Sequence, residues 1–387
     1  MRRRGPKGPH PAASLAGVLT AVALVAASCS ASPPARAGLR RGGDGHAGEG
    51  VAPRRPPDVA AVFGVRNPSA TWHTTTLTVE VDLRDVPGAV VGAAGPSVPY
   101  QIFYPSDYQA LGFESPIVTW GNGTGAAPTA SYFSELLDHF VSWGFTVIAA
   151  DLPDVGSGVE VLDGARYLVA EDADQRSPFF GHLDVHKVAA VGFSQGAGGA
   201  VRAALAGASL ITTVMTFSLP WNGQGPAHSP FSDNAAFPHG WAGANPDCPT
   251  WQACWADPGQ LTQPTFLIST HGRLDSVIAP PGVERCYFEE LRAPSVQGVI
   301  LHSPAGSNRV ADHPSIENTA RGEDPTGFFG YATAWLMYQL RSDNEAAGAF
   351  TGAHPQLLAD RNWPGSSVSR ADGNPPRLAC DDRVPAT

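Results

Sequence analysis

"KVAAVGFSQGAGGAVRAALAG", residues 187–207, runs from small and β-branched apolar residues, across Gly192, Phe193, Ser194, Gln195 and Gly196, into an alanine-rich stretch. The first part suits a fully buried strand and the last a helix, so the five residues between them fall on a strand-to-helix turn. In a G-x-S-x-G turn the glycines let strand and helix approach closely, and the serine is lifted above the end of the sheet as a nucleophile elbow. The pentapeptide by itself recurs by chance in a chain with 43 glycines among 387 residues. Its place between a buried strand and a helix is what makes Ser194 a candidate nucleophile instead of an ordinary turn serine.

The pattern repeats on either side of the turn. "PIVTW" (116–120), "FTVIAAD" (145–151), "LITTVMTF" (210–217), "PTFLIST" (264–270) and "VQGVIL" (296–301) are short runs rich in Val, Ile, Leu and Thr. Helix-like stretches lie between several of them: "SYFSELLDHFVSWG" (131–144), "GVERCYFEELRA" (282–293) and, last, "FFGYATAWLMYQL" (328–340). Upstream, "TLTVEVDL" (76–83) alternates as a half-buried strand does, and "VPYQIFYP" (98–105) follows as a second strand after a Gly/Pro turn. Strands alternating with helices argue for an α/β protein, its mainly parallel central sheet covered on both faces. No insertion reads as a large lid domain. The core spans about residues 95–345 of a domain covering 58–387, with an irregular tail over 346–387.

The net charge of −10, with the basic run Arg2–Arg4 and Lys7 confined to the extreme N-terminus, argues against a nucleic-acid partner. That basic start precedes the apolar stretch 12–27, too short for a comfortable membrane span and suited to a signal-peptide core over residues 1–29. Small residues before Cys29 resemble a lipoprotein processing site, which would make Cys29 the lipidated first residue and tether the protein to a membrane. The rival is cleavage after Ala35-Arg36-Ala37, which would free it as a secreted protein. Residues 30–57 are Gly, Pro, Arg and Ala with almost no large apolar side chain and read as a flexible linker. Processing removes Cys29 from the free thiols and leaves Cys248, Cys254, Cys286 and Cys380, an even set that suggests two disulfides in an oxidising compartment, Cys248 with Cys254 and Cys286 with Cys380. Their spacing does not suit zinc, and no metal site is expected.

A serine hydroxyl needs a base to take its proton, and the base needs an acid to hold its tautomer. With an elbow of this kind the chain order is serine, acid, histidine. Asp275 follows the strand 264–270 in "HGRLDSVIAPP"; His302 and His313 follow the strand 296–301 in "HSPAGSNRVADHPS". All three therefore fall at the sheet edge that carries Ser194. His271, on the acid's own loop, reads as structural or as a rim residue, and Asp151 precedes the serine, against the expected order. Acyl transfer also needs donors aimed at an oxyanion. One is the N–H of Gln195, directly after the serine, and the other should come from the loop "GNGTGAAP" (121–128), where Asn122 is favoured by position.

Together these stretches resemble the α/β-hydrolases of the polyester hydrolase group, the bacterial cutinases and PET hydrolases with their lipase-like relatives. "LDSVIAPP" is similar to that family's acid loop, and "VADHPSIEN" followed by "YATAWLMYQL" to its histidine loop and closing helix. The resemblance implies the α/β-hydrolase fold, with Ser194 as nucleophile, Asp275 as acid and His313, not His302, as base. It leaves Thr124 as the alternative to Asn122 and as a substrate-binding residue. "Pro220-Trp221" is similar to the family's Pro-Trp, which would set Trp221 beside the scissile ester.

The expected activity is carboxylic ester hydrolysis through an acyl-enzyme, on small-molecule or polymeric esters that are neutral and apolar, by a monomer without metal or organic cofactor. A serine peptidase or an acyltransferase would use the same groups. A non-catalytic surface protein that keeps the fold for binding is the alternative from another class.

Overall fold

The computed structural model of the chain describes residues 58–92, 94–220 and 258–369. The expected export signal with Cys29, the linker, Trp221, Cys248, Cys254 and Cys380 lie outside the described residues.

Nine strands among the described residues form one mixed sheet: β1 (Thr74–Asp82), β2 (Ser97–Pro105), β3 (Ser115–Gly121), β4 (Thr146–Ala150), β5 (Leu183–Phe193), β6 (Ile211–Phe217), β7 (Thr265–Thr270), β8 (Val296–Ile300) and β9 (Ser367–Val368). Their order is β1-β2-β4-β3-β5-β6-β7-β8-β9. Strands β3 to β8 are mutually parallel, while β1 and β2 at one edge and β9 at the other run antiparallel to their neighbours. This is an α/β protein with a mostly parallel sheet. The residues explain the split: β1 alternates burial along its length, as an edge strand facing water on one side does. By contrast β3, β4 and the last six residues of β5 are wholly buried.

Among the described residues the helices are α1 (Val59–Phe63), α2 (Thr129–Ser142), α3 (Val159–Ala173), α4 (Gln195–Ala206), α5 (Asp275–Ile278), α6 (Pro281–Glu290) and α7 (Thr326–Arg341), with two four-residue helical turns after α7. One face of the sheet buries a core with α1, α2 and α7, centred on Phe133, Phe266 and Trp335. The other buries a core with α3, α4 and α6, including Leu162, Ala200 and Phe288. Helix α2 shows how the sheet end fixes a helix start. The Thr129 and Ala130 N–H groups have no intrahelical acceptor and donate instead to Asp151 Oδ1 at 2.7 Å and Gln101 Oε1 at 2.8 Å. Gly144, at φ 90°, then ends the connection to β4.

Helix α3 was not legible as an element in the sequence, because "VEVLDGARYLVAEDA" has acidic residues and a glycine interrupting its apolar positions. Asp163 is nevertheless fully buried, paired with Arg166 at 2.7 Å. Of the tail expected to be irregular, the described part, 346–369, folds back: Phe350, Leu357 and Trp363 join the core of α7, and β9 pairs with β8.

Candidate active site

The turn at Ser194 sits at the carboxyl end of β5, a central strand paired with β3 and β6. Ser194 has φ 53° and ψ −122°, a conformation that a non-glycine residue keeps only when its surroundings impose it. What imposes it is close backbone packing. A Cβ on Gly192 would stand 2.1 Å from the Gly196 carbonyl oxygen, and one on Gly196 would stand 2.2 Å from the carbonyl of Gly121. The Ser194 N–H donates to Phe217 O at 2.9 Å, which ties the turn to β6.

The structure brings the three residues named from the sequence into one hydrogen-bonded line. Ser194 Oγ lies 3.0 Å from His313 Nε2, and His313 Nδ1 lies 2.7 Å from Asp275 Oδ1. The carboxylate accepts from Nδ1–H, which leaves Nε2 free to accept from the serine hydroxyl. Asp275 is fully buried and the His313 side chain is 14% exposed, so the acid end of the line is dry while the histidine faces the opening. Phe193 packs beside the imidazole with ring centroids 4.7 Å apart.

Two hydroxyls that the sequence reading did not single out complete the acid's shell. Ser218 Oγ and Thr270 Oγ1 each donate to Asp275 Oδ2 at 2.7 Å. A third missed residue joins the acid and base loops: Asp312 Oδ1 accepts from the N–H groups of Leu274 at 2.8 Å, Asp275 at 3.1 Å and His313 at 2.8 Å. Gly272 leaves the room for that carboxylate, since a Cβ there would stand 2.2 Å from Asp312 Cγ. The signal for Asp312 was present as a capping pattern, Asp312 with Ser315 three residues on, and both reciprocal bonds are made. Ser218 and Thr270 carry no such signal, because each is one hydroxyl residue after or at the end of a strand.

No protein-family model matches the chain, and no curated protein matches it either.

Beside Ser194 is a cavity of about 130 Å³, with Ala126, Phe193, Pro220 and Ile278 as apolar wall. Tyr132 closes one side, with the Arg321 guanidinium 3.7 Å above its ring and Glu317 paired to that arginine. Of the loop after β3, Gly123 and Thr124 reach the cavity. Asn122, favoured from the sequence as the oxyanion donor, is fully buried instead: its amide donates to Thr129 Oγ1 and Ala150 O, both at 2.9 Å, and its Oδ1 accepts from Trp120 Nε1 at 3.0 Å. An asparagine side chain with such partners fastens the strand ends and holds the start of the loop. Gly123, not singled out from the sequence, and Thr124 are the loop residues next to the serine.

Gln195 occupies the first position of α4, where a backbone N–H has no intrahelical acceptor and faces the helix's electropositive end. Its side chain accepts from Val155 N–H at 2.8 Å and donates to Asp154 Oδ1 at 2.5 Å. The same segment holds the β3 loop, since Gly125 N–H donates to Pro153 O at 2.9 Å. Residues 153–155 thus brace both sides of the opening above Ser194. Burial raises Asp154 above the ordinary carboxylate range, with the Gln195 amide pulling the other way.

The other candidates lie elsewhere. His302 is paired with Val310 in an isolated bridge, and its backbone N–H and carbonyl bond the Asn362 side-chain amide. His271 is exposed on the acid loop, and Asp151 caps α2. Cys286 is buried on α6, while its expected partner Cys380 is outside the described residues. Among the described residues no group of three or more His, Cys, Asp or Glu is placed to hold a metal ion.

Proposed function

We propose that this protein is an exported serine carboxylic ester hydrolase with the α/β-hydrolase fold, related to the polyester hydrolases and acting on neutral, apolar acyl esters or polyesters. The observation that carries the reading is the unbroken line from Ser194 Oγ through His313 to Asp275, at 3.0 and 2.7 Å, with the serine on a strained strand-to-helix turn. The elbow after β5, the acid after β7 and the histidine after β8 follow the chain order of that fold. The apolar wall beside the serine suits a neutral acyl group. Export rests on the basic start and apolar stretch 12–27, with Cys29 as the lipid attachment or cleavage after Ala37.

In the proposed reaction His313 Nε2 takes the Ser194 proton as Oγ attacks the ester carbonyl, and the imidazolium is stabilised by Asp275. The oxyanion is met by the Gln195 N–H and by the backbone of Gly123 and Thr124. His313 then protonates the departing alcohol, and a water repeats the sequence on the acyl-enzyme.

The direct test is to treat the full chain with an alkyl fluorophosphonate and with p-nitrophenyl butyrate. Expected are steady hydrolysis of the ester and one covalent adduct, on the peptide carrying Ser194, that abolishes it. A folded protein that neither turns over the ester nor labels at Ser194 would overturn the reading.

The acid's hydroxyl shell gives a second expectation. Ser218→Ala removes one of the two donors to Asp275 Oδ2 and leaves Thr270. A fall of about tenfold in kcat with KM nearly unchanged is expected, because the lost bond orients the acid and does not touch substrate. Steady-state kinetics on the same ester reads it, and a change confined to KM would contradict the role given to Ser218.

A further inference from the structure

Helix α6 carries a second buried carboxyl behind Asp275. Glu284 is fully buried; its Oε1 accepts from Leu219 N–H at 3.0 Å, and its Oε2 makes no hydrogen bond. One turn further on, the Tyr287 hydroxyl donates to Pro220 O at 3.5 Å, so α6 grips both residues that follow Ser218. Ser218 itself is held at φ 51°, a non-glycine residue in the left-handed region, with its N–H bonded to Ile268 O at 2.7 Å.

We infer that Glu284 is a positioning residue for the Ser194–His313–Asp275 line: as a neutral carboxylic acid it clamps the segment 218–220, and through Ser218 it orients Asp275. The inference rests on the esterase reading only for its effect on rate. The distribution of donors sets the two carboxyls apart. Asp275 receives three side-chain donors, His313 Nδ1, Ser218 Oγ and Thr270 Oγ1, whereas Glu284 receives the Leu219 N–H, with the Ser269 hydroxyl near it but outside hydrogen-bond geometry. Among the described residues no cation pairs with Glu284, since Arg285 turns to Glu289 at 2.8 Å and to Ser367. Among the described residues, the other elements packed most closely on α6, namely β7, β8 and the turn 258–260, carry no ionisable side chain, and Asp275 is the titratable group whose charge acts on it. Burial pushes Glu284 well above the ordinary carboxylate range and the Asp275 charge pushes the same way, while the Ser269 hydroxyl and the Leu219 N–H pull back less. Two anions facing each other in a dry interior would repel with little screening, which a proton on Glu284 avoids.

The test uses the full chain with Glu284→Gln, which keeps the acceptor and stays neutral, and Glu284→Leu, which removes the acceptor. A buried acid whose folded pKa is raised holds a proton that the unfolded chain releases above about 4.5. Stability therefore falls as pH rises through that window, and the loss stops only at the folded pKa. Relative to Glu284→Gln, the unfolding constant of the wild type is expected to rise by up to about tenfold per pH unit as the pH climbs from about 5 toward neutrality. A ratio that stays flat over this range would mean an ionised Glu284 and would overturn the inference. The clamp is read separately by amide exchange at Leu219, slow in the wild type and in Glu284→Gln and fast in Glu284→Leu; equal protection in all three would overturn it. In ester hydrolysis, Glu284→Leu is expected to lose at least ~10-fold in kcat, with Gln restoring most of it. A wild type inert toward both ester and fluorophosphonate would sink the esterase reading alone, because the stability ratio and the Leu219 exchange are measured without turnover.

Discussion

Ser194→Ala and His313→Ala are each expected to lower kcat for p-nitrophenyl butyrate by at least ~10³-fold, while His302→Ala stays within about twofold of the wild type. The contrast follows from position. His313 lies between Ser194 Oγ at 3.0 Å and Asp275 Oδ1 at 2.7 Å, and its loop is pinned to the acid loop by Asp312. His302 makes backbone bonds to Asn362 and pairs with Val310, with no bond to the acid or the serine. Because the serine and the histidine act as one unit, the double variant should be scarcely slower than either single one. Activity that survives Ser194→Ala, or that falls equally in His302→Ala, would remove the base assignment and with it the proposed reaction. Each variant is checked for folding by its thermal transition.

The largest stability effect is expected at Gly196. A Cβ there would stand 2.2 Å from both the carbonyl carbon and oxygen of Gly121 and 2.4 Å from the Asn122 carbonyl oxygen. All of these are backbone atoms of β3 and its loop, so no side chain can swing aside and the strand end itself must move. Gly196→Ala should therefore cost at least ~3 kcal/mol. It should also displace Gly123 and Thr124 from the serine. Gly282→Ala is the matched control: it lies in the first turn of α6 and nothing would stand within 4 Å of its Cβ. That change should fall within about 0.5 kcal/mol of neutral or stabilise slightly, since alanine is the better helix former. Urea melts of the two variants measure the difference, and equal midpoints would mean that the elbow is looser than its geometry implies.

The boundary between what could be read and what could not is visible within single elements. The strand expected over 187–193 begins at Leu183, because "LDVH" is polar enough to hide its pairing with β3, whereas its buried half was plain. The helix expected over 196–207 spans Gln195–Ala206, and the apolar stripe behind it needed no tertiary information. Helix α3 escaped notice because its buried Asp163 and Gly164 belong to no amphipathic pattern; Gly164 is required by Tyr100, whose ring would stand 2.9 Å from a Cβ.

By itself the sequence determined the alternation of buried strands and helices, the serine on its turn, and the chain order of serine, acid and histidine. These are local properties: periodicity, glycine at a tight turn, and the place of a residue after a strand all lie within a dozen neighbouring positions. It left His302 and His313 as alternatives on residue chemistry alone, and it ranked Asn122 before Thr124. Only the tertiary structure decided that His313 is the histidine between Ser194 and Asp275. It alone showed that Asn122 is a buried fastener, that Gly123 lies at the opening, and that Ser218, Thr270 and Asp312 hold the acid and base loops. The physical reason is separation along the chain. Ser218 meets Asp275 across 57 positions and Asp312 meets it across 37, and such hydrogen bonds are set by the order of parallel strands, which no local pattern encodes.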